Sequence, residues 1–122
     1  MDSLTQVLKA YGDAWRATDV DNRRALLEVA WADDGLYMDP SAEARGRESL
    51  VAHVGQVLAD FPGMRIELVS GTDRNHDRVR FAWRMVAADG TVAVEGVDFG
   101  RIGADGRLTE IIGFFGAQPR AA

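Results

Sequence analysis

The sequence predicts one α+β domain, in which helices come first and antiparallel strands follow. Apolar residues recur at helical spacing in the first half of the chain. In the second half, Asp89-Gly90 and Asp105-Gly106 separate strand-like segments, and such pairs are a strong hairpin signal. The 122 residues show no internal change of composition, so we expect residues 1–122 to share one hydrophobic core.

Three helices are predicted. The first runs from about Ser3 to Thr18, and the second is capped by Asp21 and continues through Trp31. The third runs from about Arg47 to Phe61, where Pro62-Gly63 ends it. Their apolar stripes are Leu4, Leu8, Tyr11 and Trp15 in the first helix, Leu26, Leu27, Ala30 and Trp31 in the second, and Leu50, Val51, Val54, Leu58 and Phe61 in the third.

The strands are predicted around and after the third helix. A short strand, Leu36 to Asp39, is closed by Pro40, and residues 41–46 are interpreted as a loop. Four strands follow the third helix, and the first of them extends from Met64 to about Thr72. Residues 73–77 are expected to form a loop whose register the sequence leaves open. The helices would pack on one face of this sheet.

The two Asp-Gly turns fix the register of the last three strands if each loop has two residues. The predicted pairs are Phe81 with Asp98, Trp83 with Gly96, Met85 with Val94, Gly113 with Asp98, and Phe115 with Gly96. The same register pairs opposite charges on the other face, Arg84 with Glu95 and Arg101 with Glu110. A shift by one residue would not produce both pairs, which supports the assignment.

Asp98 is the charged residue on an otherwise apolar inner face. Its predicted neighbours there are Phe81, Trp83, Met85, Val94, Ile111 and Phe115. A carboxylate in such surroundings must be paired, protonated or hydrated. Asp98 therefore belongs either to a pocket or to a buried polar pair with Tyr11 or His53.

The outer face of the sheet is also too apolar to be simply exposed. It carries Ala82, Val86, Ala93, Val97, Phe99, Ile112 and Phe114 beside the charge pairs. An antiparallel sheet with one covered face alternates more cleanly with polar residues. We therefore expect a second layer, most economically a homodimer packed sheet to sheet.

Composition argues against several classes of function. The chain has no cysteine, so disulfides, thiolate nucleophiles and zinc-thiolate sites are excluded, and with only His53 and His76 no multi-histidine metal site is expected. A net charge of −5 disfavours binding to nucleic acid. Without an apolar run of membrane length or a targeting pattern at the N-terminus, we expect a cytoplasmic protein with no membrane partner.

The order of elements resembles that of the nuclear transport factor 2-like (NTF2-like) superfamily over nearly the whole chain. The resemblance is carried by WADDGLYMDP, FPG and the closing DGRLTEIIGFFG. Within the superfamily, the chain is most similar to the ketosteroid isomerase-like and SnoaL-like polyketide cyclase branch. The resemblance implies a cystatin-like cone, in which a curved antiparallel sheet wraps around the three N-terminal helices and encloses an apolar pocket.

The resemblance also implies three catalytic residues and no cofactor. Tyr11 matches an oxyanion-hole tyrosine, Asp39 matches the general base, and Asp98 matches a protonated acid that donates to an enolate oxygen. Apolar walls would raise the pKa of Asp98 by desolvation. The expected substrate contacts are Trp15, Tyr37, His53, Phe81, Trp83, Met85 and Phe115.

We interpret the chain first as an acid/base enzyme for a small, apolar carbonyl compound, through isomerisation, cyclisation or dehydration. A non-catalytic protein that holds a hydrophobic ligand, and a dimeric module that recruits another protein, remain alternatives. Purely structural roles for single site residues also remain open. Asp39 can accept hydrogen bonds from the backbone amides of a turn, and Tyr11 can be a core aromatic residue. Trp83 can fill space above Gly96, and His53 can lie at the boundary of the core.

Overall fold

A computed structural model describes residues 3–121 of the chain and confirms the α+β architecture. The elements, in chain order, are α1 (Ser3–Ala14), α2 (Val20–Ala30), β1 (Trp31–Asp39), β2 (Ala42–Arg45), α3 (Arg47–Asp60), β3 (Arg65–Leu68), β4 (Asp73–Asn75), β5 (Arg78–Val86), β6 (Val92–Ile102) and β7 (Leu108–Phe115). No helix within the described range is long and apolar enough to span a bilayer.

The strands form one curved, open sheet in the order β2-β1-β7-β6-β5-β3, with β4 also paired to β5. Every neighbouring pair is antiparallel except β1 and β7, which are parallel. The sheet is therefore mixed, and the expectation of a fully antiparallel sheet was wrong at this pair. Because α3 and five strands separate β1 from β7 in sequence, the chain has room for the crossover that a parallel pair requires.

The predicted register of β5, β6 and β7 is confirmed, although the expected two-residue loops were wrong. Phe81 lies opposite Asp98, and Gly113 lies opposite Asp98 on the other side. The loops have three residues, 88–90 and 104–106, and end in Gly90 and Gly106 with φ values of 90° and 87°. A bulge follows each turn and adds one residue, which restores the register in the body of the strands.

Helix α2 begins and ends earlier than predicted. Asp19, not Asp21, caps it, since the Asp19 carboxylate accepts a hydrogen bond of 2.9 Å from the Asn22 amide. The helix ends at Ala30, and Trp31 is the first residue of β1 with extended backbone angles. Helix α1 likewise ends four residues before the predicted Thr18, at Ala14.

Two polar segments predicted as loops are short edge strands. Ala42–Arg45 pairs with β1, and Asp73–Asn75 pairs with β5. The strand predicted from Met64 to Thr72 is reduced to Arg65–Leu68. Arg84 lies opposite Glu95 as predicted, but its ion pair, at 2.9 Å, is with Glu67 on β3.

The helices cover the inner face of the sheet. The largest fully buried side chains, which form the centre of the core, are Trp31, Leu27, Leu50, Leu108, Ile111 and Val54. Arg23 is buried beside them and donates to backbone oxygens of Ala17, Thr18 and Val51 at 3.0, 3.2 and 3.1 Å. These bonds tie the turn between α1 and α2 to α3, which fixes the helix that forms one wall of the site.

Candidate active site

A cavity of about 530 Å³ opens between α1, α3 and the inner face of the sheet. Its volume lies within the range of about 300–1,000 Å³ that is typical of small-molecule sites. The structure places every sequence-predicted site residue on its lining, namely Tyr11, Trp15, Tyr37, Asp39, His53, Phe81, Trp83, Met85, Asp98 and Phe115. Most of the remaining wall is apolar, with Leu8, Val57, Phe61, Ile66, Leu68 and Val94.

The charges on the lining all have one sign. Asp39, Asp60 and Asp98 line the cavity, and within residues 3–121 no lysine or arginine does. Asp60 is exposed at the end of α3, whereas Asp98 is 7% exposed. The cavity therefore offers no cation to an anionic ligand.

Asp98 lies on β6 with its carboxyl group buried against the indole of Trp83. Trp83 Nε1 donates a hydrogen bond of 2.9 Å to Asp98 Oδ1. Burial raises the pKa of Asp98 from its ordinary value of 3.8 to about 6, the Trp83 hydrogen bond opposes the rise, and the charge of Asp39 adds to it. The carboxyl group thus gains and loses its proton near pH 6 and not near pH 4.

Two glycines make room for this arrangement. A Cβ atom at Gly96 would lie 2.4 Å from Cζ2 of Trp83, so the indole occupies the space that a side chain would need. A Cβ atom at Gly113 would lie 2.8 Å from Asp98 Oδ1 and 3.5 Å from Asp39 Cβ. Gly113 on β7 therefore allows the carboxyl groups of β1 and β6 to approach each other.

The carboxyl group of Asp39 is held by three donors. The Tyr37 hydroxyl donates to Oδ2 at 2.5 Å, and the backbone amide and hydroxyl of Ser41 each donate to Oδ1 at 2.7 Å. The Ser41 amide bond is the turn contact that an aspartate before Pro40 favours. Since a carboxylate has about four lone-pair positions, one remains for a further partner. Sequence reasoning missed Ser41, although its place two residues after Asp39 is a turn signal.

Tyr11 and Tyr37 are both held in the protonated form. Burial raises the pKa of Tyr11 well above its usual value, and the charge of Asp98 adds to the effect. Burial also raises the pKa of Tyr37 strongly, with further contributions from Tyr11 and from the hydrogen bond to Asp39. The Tyr11 ring stacks on Trp31 at a centroid distance of 5.9 Å, and its buried hydroxyl has no hydrogen-bond partner among the described residues.

His53 on α3 belongs to an aromatic cluster at the wall of the cavity. Its ring is edge-to-face with Trp15 at 6.0 Å and tilted against Tyr37 at 5.4 Å. Its Nε2 atom is buried, and in the part of the chain that the structure describes nothing hydrogen-bonds it. Trp83 and Phe115 form a second edge-to-face pair on the sheet side, with centroids 5.8 Å apart.

The cavity lining is not arranged as a metal site. Across residues 3–121, no group of three or more His, Cys, Asp or Glu side chains has the geometry to hold a metal ion.

A family model described as the SnoaL-like domain matches residues 8–111. The chain belongs to this SnoaL-like family. A solved structure from Agrobacterium tumefaciens, named as a candidate isomerase of the SnoaL-like family, is 29% identical with a TM-score of 0.88, over 96% of this chain and 100% of that one. Among curated proteins, none matches the chain.

More distant solved structures show the same fold as this SnoaL-like domain. A candidate polyketide cyclase from Sinorhizobium meliloti is 16% identical, with a TM-score of 0.71 over 93% of this chain and 99% of that one. A nuclear transport factor 2-like protein from Exiguobacterium is 22% identical, with a TM-score of 0.70 over 92% of this chain and 99% of that one. These likenesses support the fold alone, which the SnoaL-like domain shares with both proteins.

Proposed function

We propose that this SnoaL-like domain is a cofactor-independent acid/base enzyme for a small, apolar carbonyl compound, which it isomerises, cyclises or dehydrates. The observation that carries the proposal is the buried Asp98 carboxyl group, with its raised pKa, in an apolar cavity that Asp39 and Tyr11 also line. The name of the relative from Agrobacterium tumefaciens, a candidate isomerase, agrees with this class of reaction.

In the proposed reaction, Asp39 removes a proton from the carbon next to the substrate carbonyl. The electron pair of that C–H bond moves toward the carbonyl oxygen and forms an enolate. Tyr11 and protonated Asp98 donate hydrogen bonds to the oxygen where negative charge develops. Asp39 then returns the proton to another carbon, which completes an isomerisation.

Trp83 has a specific place in this scheme. Because its indole N–H donates to Asp98 Oδ1, that oxygen acts as an acceptor in both protonation states. The proton of the neutral acid then resides on Oδ2, which is the oxygen that donates to the substrate. We propose that Trp83 is a positioning residue that selects this form of Asp98.

A second candidate function is the binding of a hydrophobic ligand without reaction. The observation that favours it is the anchoring of Asp39, whose three hydrogen bonds all come from residues two positions away. A turn aspartate with such partners has a structural role whether or not it also removes protons. Proton-exchange measurements separate the two functions, because a binding protein holds a ketone without exchanging its protons.

The experiment is hydrogen–deuterium exchange of neutral ketones, beginning with 2-tetralone, followed by proton NMR in deuterated buffer. We expect the wild-type protein to exchange the protons beside the carbonyl. We expect Asp39→Asn to reduce this rate by orders of magnitude with ligand affinity nearly unchanged, because the carboxylate acts only in the chemical step. Asp33→Asn, at an exposed position of β1, is the matched control. An unchanged rate in Asp39→Asn would sink the assignment of the base.

We also propose that the protein is a homodimer packed through the outer face of its sheet. Phe99 and Phe114 are 44% and 57% exposed there and form an edge-to-face pair with centroids 5.9 Å apart. Burial of such a pair between two copies removes apolar surface from water. Sedimentation of the wild type should show a dimer and Phe114→Asp a monomer. A wild-type monomer that copurifies with another polypeptide would instead favour the protein-recruiting alternative.

A further inference from the structure

The proposed reaction leaves one buried polar atom of the cavity without a role. Tyr11 and His53 both line the cavity, and the Tyr11 hydroxyl and His53 Nε2 lack hydrogen-bond partners within the described residues. The reaction uses the Tyr11 hydroxyl as a donor, but it does not involve His53. A buried polar atom without a partner is destabilising, and natural proteins contain few of them.

The surroundings of His53 direct its partner toward the cavity. Trp15 and Tyr37 pack against the imidazole, and the Tyr37 hydroxyl already donates to Asp39. Arg23 holds the same helix through the Val51 carbonyl, two residues before His53. The imidazole is thus confined by rings and by a fixed helix, and a molecule in the cavity is the remaining source of a hydrogen bond.

We infer that His53 binds a second polar group of the substrate, a hydroxyl, on an uncharged ring compound whose carbonyl group is held by Tyr11 and Asp98. This inference rests on the proposed function and specifies its substrate class. A hydroxyl both donates and accepts, so it pairs with Nε2 in either neutral tautomer of His53. An uncharged substrate fits this cavity because the lining is mostly apolar, which penalises burial of any charge, and because the charged groups of the described lining are carboxylates, which repel an anion.

The test compares the binding of naphthols that carry one or two hydroxyl groups, by isothermal titration calorimetry. 2-Naphthol places one hydroxyl at the Tyr11 and Asp98 end, where it resembles an enol. The 2,6- and 2,7-dihydroxynaphthalenes add a second hydroxyl at two different spacings. The proteins are the wild type, His53→Phe, which keeps an aromatic ring without nitrogen, and His76→Asn, an exposed histidine on a turn, as the matched control.

We expect at least one diol to bind the wild type about tenfold more tightly than 2-naphthol, as one added hydrogen bond allows. This exceeds the roughly twofold statistical gain available to a symmetric diol with two equivalent orientations. In His53→Phe the diol should bind no more tightly than 2-naphthol beyond the statistical factor, when both affinities are measured on that variant. In His76→Asn the gain should persist.

A nitrogen-15 NMR measurement on the wild type keeps the test independent of how well His53→Phe folds. The His53 Nε2 resonance should shift when the tighter diol binds and should stay in place with 2-naphthol. If 2-naphthol binds but neither diol gains affinity or shifts Nε2, this inference is overturned and the proposed function stands. If 2-naphthol does not bind at all, both the inference and the proposed oxyanion site are contradicted.

Discussion

Replacement of Asp98 by asparagine should stabilise this protein at neutral pH, although the change removes a proposed catalytic group. Asparagine has nearly the same shape as aspartic acid, and its carbonyl oxygen can accept the Trp83 hydrogen bond that Asp98 Oδ1 accepts. It carries no charge, so its burial in the apolar cavity wall avoids the desolvation of a carboxylate.

The magnitude follows from the pKa of Asp98, which is about 6 in the folded protein against an ordinary value of 3.8. Well below pH 3.8, Asp98 is protonated in both the folded and the unfolded state. The free energy of unfolding is then not reduced by burial of a charged carboxylate. As pH rises toward about 6, the unfolded state ionises first, so the free energy of unfolding falls. At about 1.4 kcal/mol per pH unit, the loss by neutral pH is about 3 kcal/mol.

Urea unfolding across the range from about pH 4 to pH 8 provides the assay. The stability of the wild type minus that of Asp98→Asn should decline by about 2 kcal/mol between pH 4 and pH 8, which is less than the full loss because the unfolded state is already more than half ionised at pH 4. Asp33→Asn, at an exposed position of β1, should show no such decline. Parallel curves for the wild type and Asp98→Asn would refute the argument, because they would mean that the pKa of Asp98 is the same in both states.

Three further results are expected. Trp83→Phe removes the indole N–H that lowers the pKa of Asp98, so carbon-detected NMR should find that pKa above about 6. Phe115→Leu is the control, because it leaves the indole N–H in place. Gly96→Ala places a methyl group against the Trp83 ring and should lower the free energy of unfolding in urea by about 1–3 kcal/mol. Gly71→Ala is the control: its methyl group would meet no atom within 4 Å, so the free energy of unfolding should not fall in this way. The rate of ketone proton exchange should fall as pH rises through about 6, since Asp98 then loses the proton it donates; a rate indifferent to pH there would count against this role.

The register of the last three strands was predictable because it depends on local turn chemistry. Each Asp-Gly pair belongs to a three-residue turn and not to the expected two-residue turn, yet the following bulge cancels the difference. Gly90 and Gly106 supply the positive φ values that both turn types demand. The pairing of Phe81 with Asp98 was therefore correct despite the wrong loop length.

The element boundaries near Trp31 and Ala42 were not predictable in the same way. Trp31 continues the apolar stripe of α2 and is fully buried, and a short apolar segment fits a helix or a buried strand equally well. Ala42–Arg45 is a short, largely exposed edge strand, so it lacks the apolar alternation by which strands are recognised. Its pairing with β1 is a tertiary interaction.

The set of residues on the cavity wall was accessible from strand alternation and family resemblance, but their bonding was not. Which donors reach Asp39 depends on the rotamers of Tyr37 and Ser41. The direction of the pKa shift of Asp98 followed from its apolar neighbours. Its size depends on the opposing Trp83 hydrogen bond, which the sequence does not reveal.

The measurement that tests the central claim most directly is the pKa of the Asp98 carboxyl group, by carbon-detected NMR titration with Asp98→Asn to assign the resonance. The structure predicts a value of about 6, raised by burial in the cavity wall and by the charge of Asp39. Asp98 would then hold its proton, and be available as a donor to a ligand oxygen, up to about pH 6. A value near the ordinary one, about 4, would mean that the carboxyl group is hydrated or ion-paired, and the proposed oxyanion site would be wrong.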